Sequence, residues 1–92
     1  MADIRVSHTG GDEYAVEVHE TGGSTRHQVS VPADALDRYG AGATATELIE
    51  ASFEFLLERE PKEAILGRFE ISVIERYFPE YPGVIRRRMA GD

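Results

Sequence analysis

The 92-residue chain contains no cysteine, which excludes disulfide bonds, thiolate catalysis and cysteine-ligated zinc. Lysine is almost missing as well. Lys62 stands alone beside nine arginines, and these ten bases face seventeen acids, for a net charge of −7. Such a balance opposes nonspecific attraction to nucleic acid or anionic lipid and favours basic partners. Residues 1 to 30 hold no apolar run of signal-peptide length, and no window approaches the roughly 20 apolar residues of a membrane span. A cytoplasmic protein is the expectation. Catalytic loops are missing too: no Gly-x-Ser-x-Gly surrounds Ser7, Ser24, Ser30, Ser52 or Ser72, so acyl transfer has no support. Gly40-Ala41-Gly42 follows a helical pattern rather than a strand and lacks a lysine, so it reads as a linker and not as a phosphate loop.

What is present is a strongly patterned segment from Thr44 to Glu60. Thr44 and Glu47 have the spacing of a capping box, with Thr46 as the rival cap. Wound at about 100° per residue, Ala45, Leu48, Ile49, Ser52, Phe53, Phe55, Leu56 and Leu57 share an arc of roughly 200°. An ordinary surface helix needs little more than about 100°, so this helix is expected to pack on two sides. One side is its own sheet; the other is either a further local helix or a second subunit. The same winding lines up Glu47, Glu50, Glu54 and Glu58 as one acidic ridge. The ridge has two readings, a solvated helix face or a docking strip for a basic partner. A metal site is disfavoured, because ligands must converge from several directions, and no cofactor is expected.

Residues 3 to 31 alternate as a three-stranded antiparallel meander, ordered 1-2-3, with Ile4 and Val6, then Tyr14, Val16 and Val18, then Val29 and Val31 on one face. Keeping that face apolar pairs Val6 with Val16, Ile4 with Val18 and Arg5 with Glu17 around a Gly10-Gly11-Asp12 loop. A Gly22-Gly23 loop would pair Val16 with Val29, Tyr14 with Val31, Val18 with His27 and His19 with Arg26. Pro32 opens a short helix over Ala33 to Tyr39 that Gly40 stops. Pro61 starts a helical turn through Leu66, ended by Gly67, and Ile71 to Phe78 forms a last helical segment. The predicted class is α+β: the meander, a short helix, the long amphipathic helix and one or two short C-terminal helices. One domain spans 1–85, and an Arg-rich tail, disordered over 86–92, carries Arg86, Arg87 and Arg88.

His8, His19 and His27 fall at different ends or faces of the meander, which argues against a shared metal or a general base. Phe69 and Phe78 read as core. Tyr77 and Tyr81 are better suited to an interface, since a tyrosine buries its ring while its hydroxyl stays wet.

The run His27-Gln-Val-Ser-Val-Pro-Ala-Asp-Ala-Leu-Asp-Arg-Tyr39, followed by Thr46-Glu-Leu-Ile-Glu-Ala-Ser-Phe-Glu-Phe-Leu57, resembles ribbon-helix-helix repressors and antitoxins. That resemblance covers about a third of the chain. It implies a dimer whose strand pairs with its twin and presents Arg26, Gln28 and Ser30 to the DNA major groove. More loosely, the pattern ending in Ser72-Val-Ile-Glu-Arg-Tyr-Phe-Pro79 is similar to short bacterial proteins of unknown function and implies no activity. The favoured expectation is a non-enzymatic protein-binding or regulatory module, with another protein or a second copy as partner. Its surface would combine Phe55 or Leu57 with Tyr77, Tyr81 and the ridge Glu47, Glu50, Glu54, Glu58. A DNA-binding regulator is the first alternative. An enzyme with a shallow site between subunits, built on His8 or His27, is the second.

Overall fold

The computed structural model describes residues 2–91. It is α+β, with strands β1 (Asp3–Gly10), β2 (Glu13–Glu20) and β3 (Gly23–Ser30) leading into helices α1 (Ala33–Tyr39) and α2 (Ala45–Leu57). A 3-10 turn (Lys62–Ala64), strand β4 (Arg68–Glu70) and helices α3 (Val73–Tyr77) and α4 (Tyr81–Met89) complete it. The sheet order is β1-β2-β3-β4.

β1 and β2 pair in the register that the apolar alternation demands, with Val6 opposite Val16, Ile4 opposite Val18 and Arg5 opposite Glu17. The turn is tighter than expected. Gly10 pairs with Glu13, a bulge absorbs the residue between His8 and Gly10, and Gly11 takes φ 52°. The second hairpin is shifted by two residues from its expected register: Val16 faces His27, Tyr14 faces Val29 and Glu17 faces Arg26. An even shift leaves every side chain on its original face, so the hydrophobic pattern does not discriminate between the two registers. The turn decides, and it is Thr21-Gly22, with Gly23 at φ 142° opening β3.

The capping box at Thr44 forms in full, its hydroxyl accepting from the Glu47 amide and the Glu47 carboxylate accepting from the Thr44 amide. Two faces of α2 are buried, as the wide arc requires. Phe53 turns to the sheet, its ring 5.3 Å from His27 and 6.1 Å from Phe69. Phe55 turns the other way, edge-on to Tyr81 at 5.2 Å and to Phe78 at 5.9 Å. A local helix therefore fills the second side. α4 lies there, with Tyr81 and Ile85 fully buried and the Tyr81 hydroxyl 2.7 Å from Ser52 Oγ. Gly40 ends α1 for a packing reason: a Cβ there would sit 2.6 Å from the Leu36 carbonyl oxygen.

The C-terminal third departs from the sequence reading in two ways. Arg68–Glu70, to which the sequence reading assigns no element, is a fourth strand parallel to β3, with Phe69 beside Val29. Only one of its three side chains is buried, too little for an alternation to be visible. Arg86, Arg87 and Arg88 are not a tail but the last turn of α4, where cations suit the negative end of the helix. Pro82 falls in the first turn of α4, where its missing N–H leaves no intrahelical bond unmade. The outer limits of the expected domain and tail, Met1 and Asp92, lie outside the described residues.

Candidate partner-binding groove

Around the C-terminal end of α2 the apolar side chains do not close over one another. Leu56, Ile65, Phe69, Ile74 and Phe78 form the floor of an open groove of about 280 Å³. Leu66 and Tyr77 stand on its lips, 45% and 66% exposed, and they are the large hydrophobic residues left in solvent among the described residues. Glu60 supplies a carboxylate at the same rim. The arrangement suits apolar side chains with a cation beside them.

Two buried polar residues hold this rim in place. His27 is 5% exposed, and its Nδ1 lies 2.8 Å from the Leu66 carbonyl. A carbonyl only accepts, so Nδ1 donates, and Nε2 meets the Thr25 hydroxyl at 2.8 Å. The histidine thus ties the sheet to the backbone of one groove lip. Lys62 is likewise buried, its ammonium 3.0 Å from Glu20 and 2.8 Å from Glu63, which pins the 3-10 turn to the end of β2. Hydrogen bonds from the ammonium to Glu63 and then Glu20 raise the Lys62 pKa. On the other flank, Glu75 accepts from the buried Tyr39 hydroxyl at 2.7 Å and lies 3.6 Å from Arg38, fixing α3 against α1.

The residues expected at an interface are divided by this geometry. Tyr77 lies at the groove and is exposed. Phe55 and Tyr81 are fully buried, so neither is available to a partner. Of the two occupants weighed for the second side of the arc, the local helix takes it, and that helix, α4, brings Tyr81 inward against Phe55. Burial raises the Tyr81 pKa well above the ordinary tyrosine value, against a smaller opposing effect of the Ser52 bond. Leu57 is half-buried beside the core.

The acidic ridge is also split. Glu47 is engaged in the cap, where the Thr44 amide holds its pKa low. Glu58 accepts from one guanidinium nitrogen of Arg88 at 2.5 and 2.7 Å, and that bond lowers its pKa. Arg59 lies over the Phe55 ring at 3.6 Å and bonds Glu80 at 3.1 Å. The C-terminal end of the ridge is therefore part of the clasp that holds α4. Glu50 and Glu54 are exposed and face a separate shallow groove beside β1.

The three histidines stay apart. His8 stacks on Tyr14 and bonds the Gly11 carbonyl at 2.7 Å, while His19 pairs with Glu17 at 2.9 Å. Among the described residues no three His, Asp or Glu side chains are placed to hold a metal. The geometry opposes the strand-pairing route to DNA: β2 takes one edge of β3 along its whole length and β4 takes the other at Gln28–Ser30, so a twin meets no continuous free edge on the stretch that carries Gln28 and Ser30. Arg26 is ion-paired with Glu17, and Gln28 bonds Thr9 and Glu13. Ser30 is half-buried, its carbonyl taken by the Ile71 amide. No helix among the described residues is long and apolar enough to cross a membrane.

Compared with protein-family models, curated proteins and solved structures, the chain matches none.

Leu66, Glu60 and Ile65 are site residues that sequence reasoning missed. A signal existed in Ala64-Ile65-Leu66-Gly67, an apolar run stopped by glycine. Read as a helical turn, it hid the fact that Ile65 points inward and Leu66 outward.

Proposed function

We propose that the chain is a small protein-binding or regulatory module in the cytoplasm, and that the groove between α2, the 3-10 turn, β4 and α3 receives apolar side chains of its partner. The carrying observation is that Leu66 and Tyr77, the exposed large hydrophobic residues, border one open apolar depression. Exposed apolar patches rimmed by polar groups mark interaction sites, and a tyrosine with a wet hydroxyl is a favoured anchor. The partner we infer is another protein with a basic residue flanking its apolar anchors, since Glu60 carries no ion pair among the described residues and the chain is strongly acidic. A binding role rather than catalysis is supported by His27, whose two ring nitrogens and ring face are all taken by Thr25, Leu66 and Phe53.

Selection of random twelve-residue peptides on the immobilised protein tests this reading. Enriched peptides are expected to shift the amide resonances of Leu66, Phe69 and Tyr77, and to lose binding on Leu66→Ser or Tyr77→Ser. Peptides that bind but map elsewhere, or a selection without enrichment, would remove the groove from consideration.

A further inference from the structure

A second surface, independent of the apolar groove, lies at the opposite side of the sheet. β4 forms one edge with only three residues, but β1 forms the other with eight, Asp3–Gly10. Among the described residues, no backbone group of β1 bonds outside its ladder with β2. At about 3.3 Å per residue the open edge runs for roughly 26 Å, and every second residue along it points its N–H and C=O outward. An edge of that length is a template for an added strand unless something guards it.

The guard here has a chemistry. α2 packs over β1, and between them lies a shallow depression floored by Ala2, Ile4 and Met89 and walled by Glu47, Glu50 and Glu54. Glu50 and Glu54 have no ion pair or side-chain hydrogen bond among the described residues, unlike Glu47 in its cap and Glu58 with Arg88. A second copy of the chain is the occupant this arrangement repels. Continuing the sheet through a two-fold axis at β1 would bring α2 beside its twin, with the same unpaired glutamates facing each other. A basic strand meets the opposite situation. Its helix-side residues would lay their aliphatic stems over Ile4 and Met89 and carry their charges to Glu50 and Glu54.

We infer that the β1 edge binds an extended polypeptide segment with arginine or lysine at alternate positions, added as a fifth strand and selected by the carboxylates of α2. Backbone bonding supplies the affinity and the charge alternation supplies the choice, as in other cases of strand addition. The acidic wall thus both blocks self-pairing and selects the ligand.

The test uses the full chain and a capped seven-residue peptide alternating arginine with threonine. Two controls accompany it: the same peptide with glutamate for arginine, and a version N-methylated on the amides of one edge. Expected are amide shifts confined to residues 3–9 and the exposed face of α2. Binding should weaken about tenfold in Glu50→Lys/Glu54→Lys, two exposed positions whose change leaves the fold intact. It should be absent with the glutamate peptide and strongly reduced by N-methylation. Equal binding of the N-methylated peptide would mean nonspecific charge attraction and would overturn the proposal. So would indifference to the double reversal, shifts mapping to Leu66 and Tyr77, or concentration-dependent β1 shifts of the protein alone, which would assign the edge to a second copy.

Discussion

The meander and the C-terminal elements are held to the same helix by different means. β1, β2 and β3 pair along continuous backbone ladders and offer α2 an apolar face of Val16, Val18 and Val29, all fully buried. α4 has no ladder. It is held by Tyr81 and Ile85 in the core and by side-chain bonds at its two ends, Arg59 to Glu80 and Arg88 to Glu58. Backbone ladders lose little when one side chain changes, whereas a helix docked through a few side chains depends on each of them. The apolar groove is lined by neither the meander nor α4, but by the end of α2, the 3-10 turn, β4 and α3.

Substitutions that separate the two regimes would sharpen this contrast, beginning with the one that damages both. Phe53→Ala empties a fully buried site between α2, His27 and Phe69 and is expected to cost about 4 kcal/mol, read as a lower urea midpoint for the whole chain. Ile85→Ala is expected to cost about 3 kcal/mol. Its signature is local: amide exchange accelerates in α4 while the meander stays protected, and uniform acceleration would show that the halves do not separate.

A smaller effect comes from Tyr81→Phe, which keeps the ring but leaves the buried Ser52 hydroxyl unpaired, at a cost of about 1 kcal/mol. Tyr81 and Tyr39 both have raised pKa values, with burial as the first cause. Their contribution is fully present below the unfolded tyrosine value of about 10 and is lost as pH rises toward the folded values. Alkaline unfolding should therefore steepen above about pH 10 in the native sequence. The double variant Tyr39→Phe/Tyr81→Phe should flatten that limb, and an unchanged alkaline limb would mean that other groups control it.

The smallest change is expected at Arg88→Ala, because its partner Glu58 is about half exposed and such pairs contribute roughly 0.5 kcal/mol. The Glu58 pKa is lowered first of all by its bond to Arg88. That contribution is present above the unfolded glutamate value of about 4.3 and is lost as pH falls through the lower folded value. A stability difference between native and Arg88→Ala protein that persists at pH 2 would contradict this account.

Most of the first sixty residues could be read from pattern. Period-two alternation gave the sheet face, and Thr44 with Glu47 gave the start of α2 and its cap. The second hairpin slipped because its two candidate registers differ by an even number and the glycine pair suits either turn. Beyond Pro61 the pattern becomes ambiguous. Phe69 enters the sheet because Val29 awaits it, and Tyr81 is buried because the arc of α2 has an unfilled side. Both placements depend on partners distant in sequence, and no local period encodes them. The candidate groove shared that fate: Tyr77 was visible as an amphipathic aromatic, but Leu66 depends on the bond between its carbonyl and His27.

The parallel pairing of β3 with β4 also has a kinetic consequence. Hairpins made from neighbouring strands close in about 1–10 μs, and the β1–β2 and β2–β3 ladders are both of that kind. Val29 and Phe69, by contrast, meet only after α1, α2 and the 3-10 turn have been looped out between them. Closing that loop costs entropy before any contact rewards it. The expected folding clock of the molecule is thus this single three-residue strand, and a substitution at Phe69 should slow refolding far more than an equally destabilising one in the first hairpin.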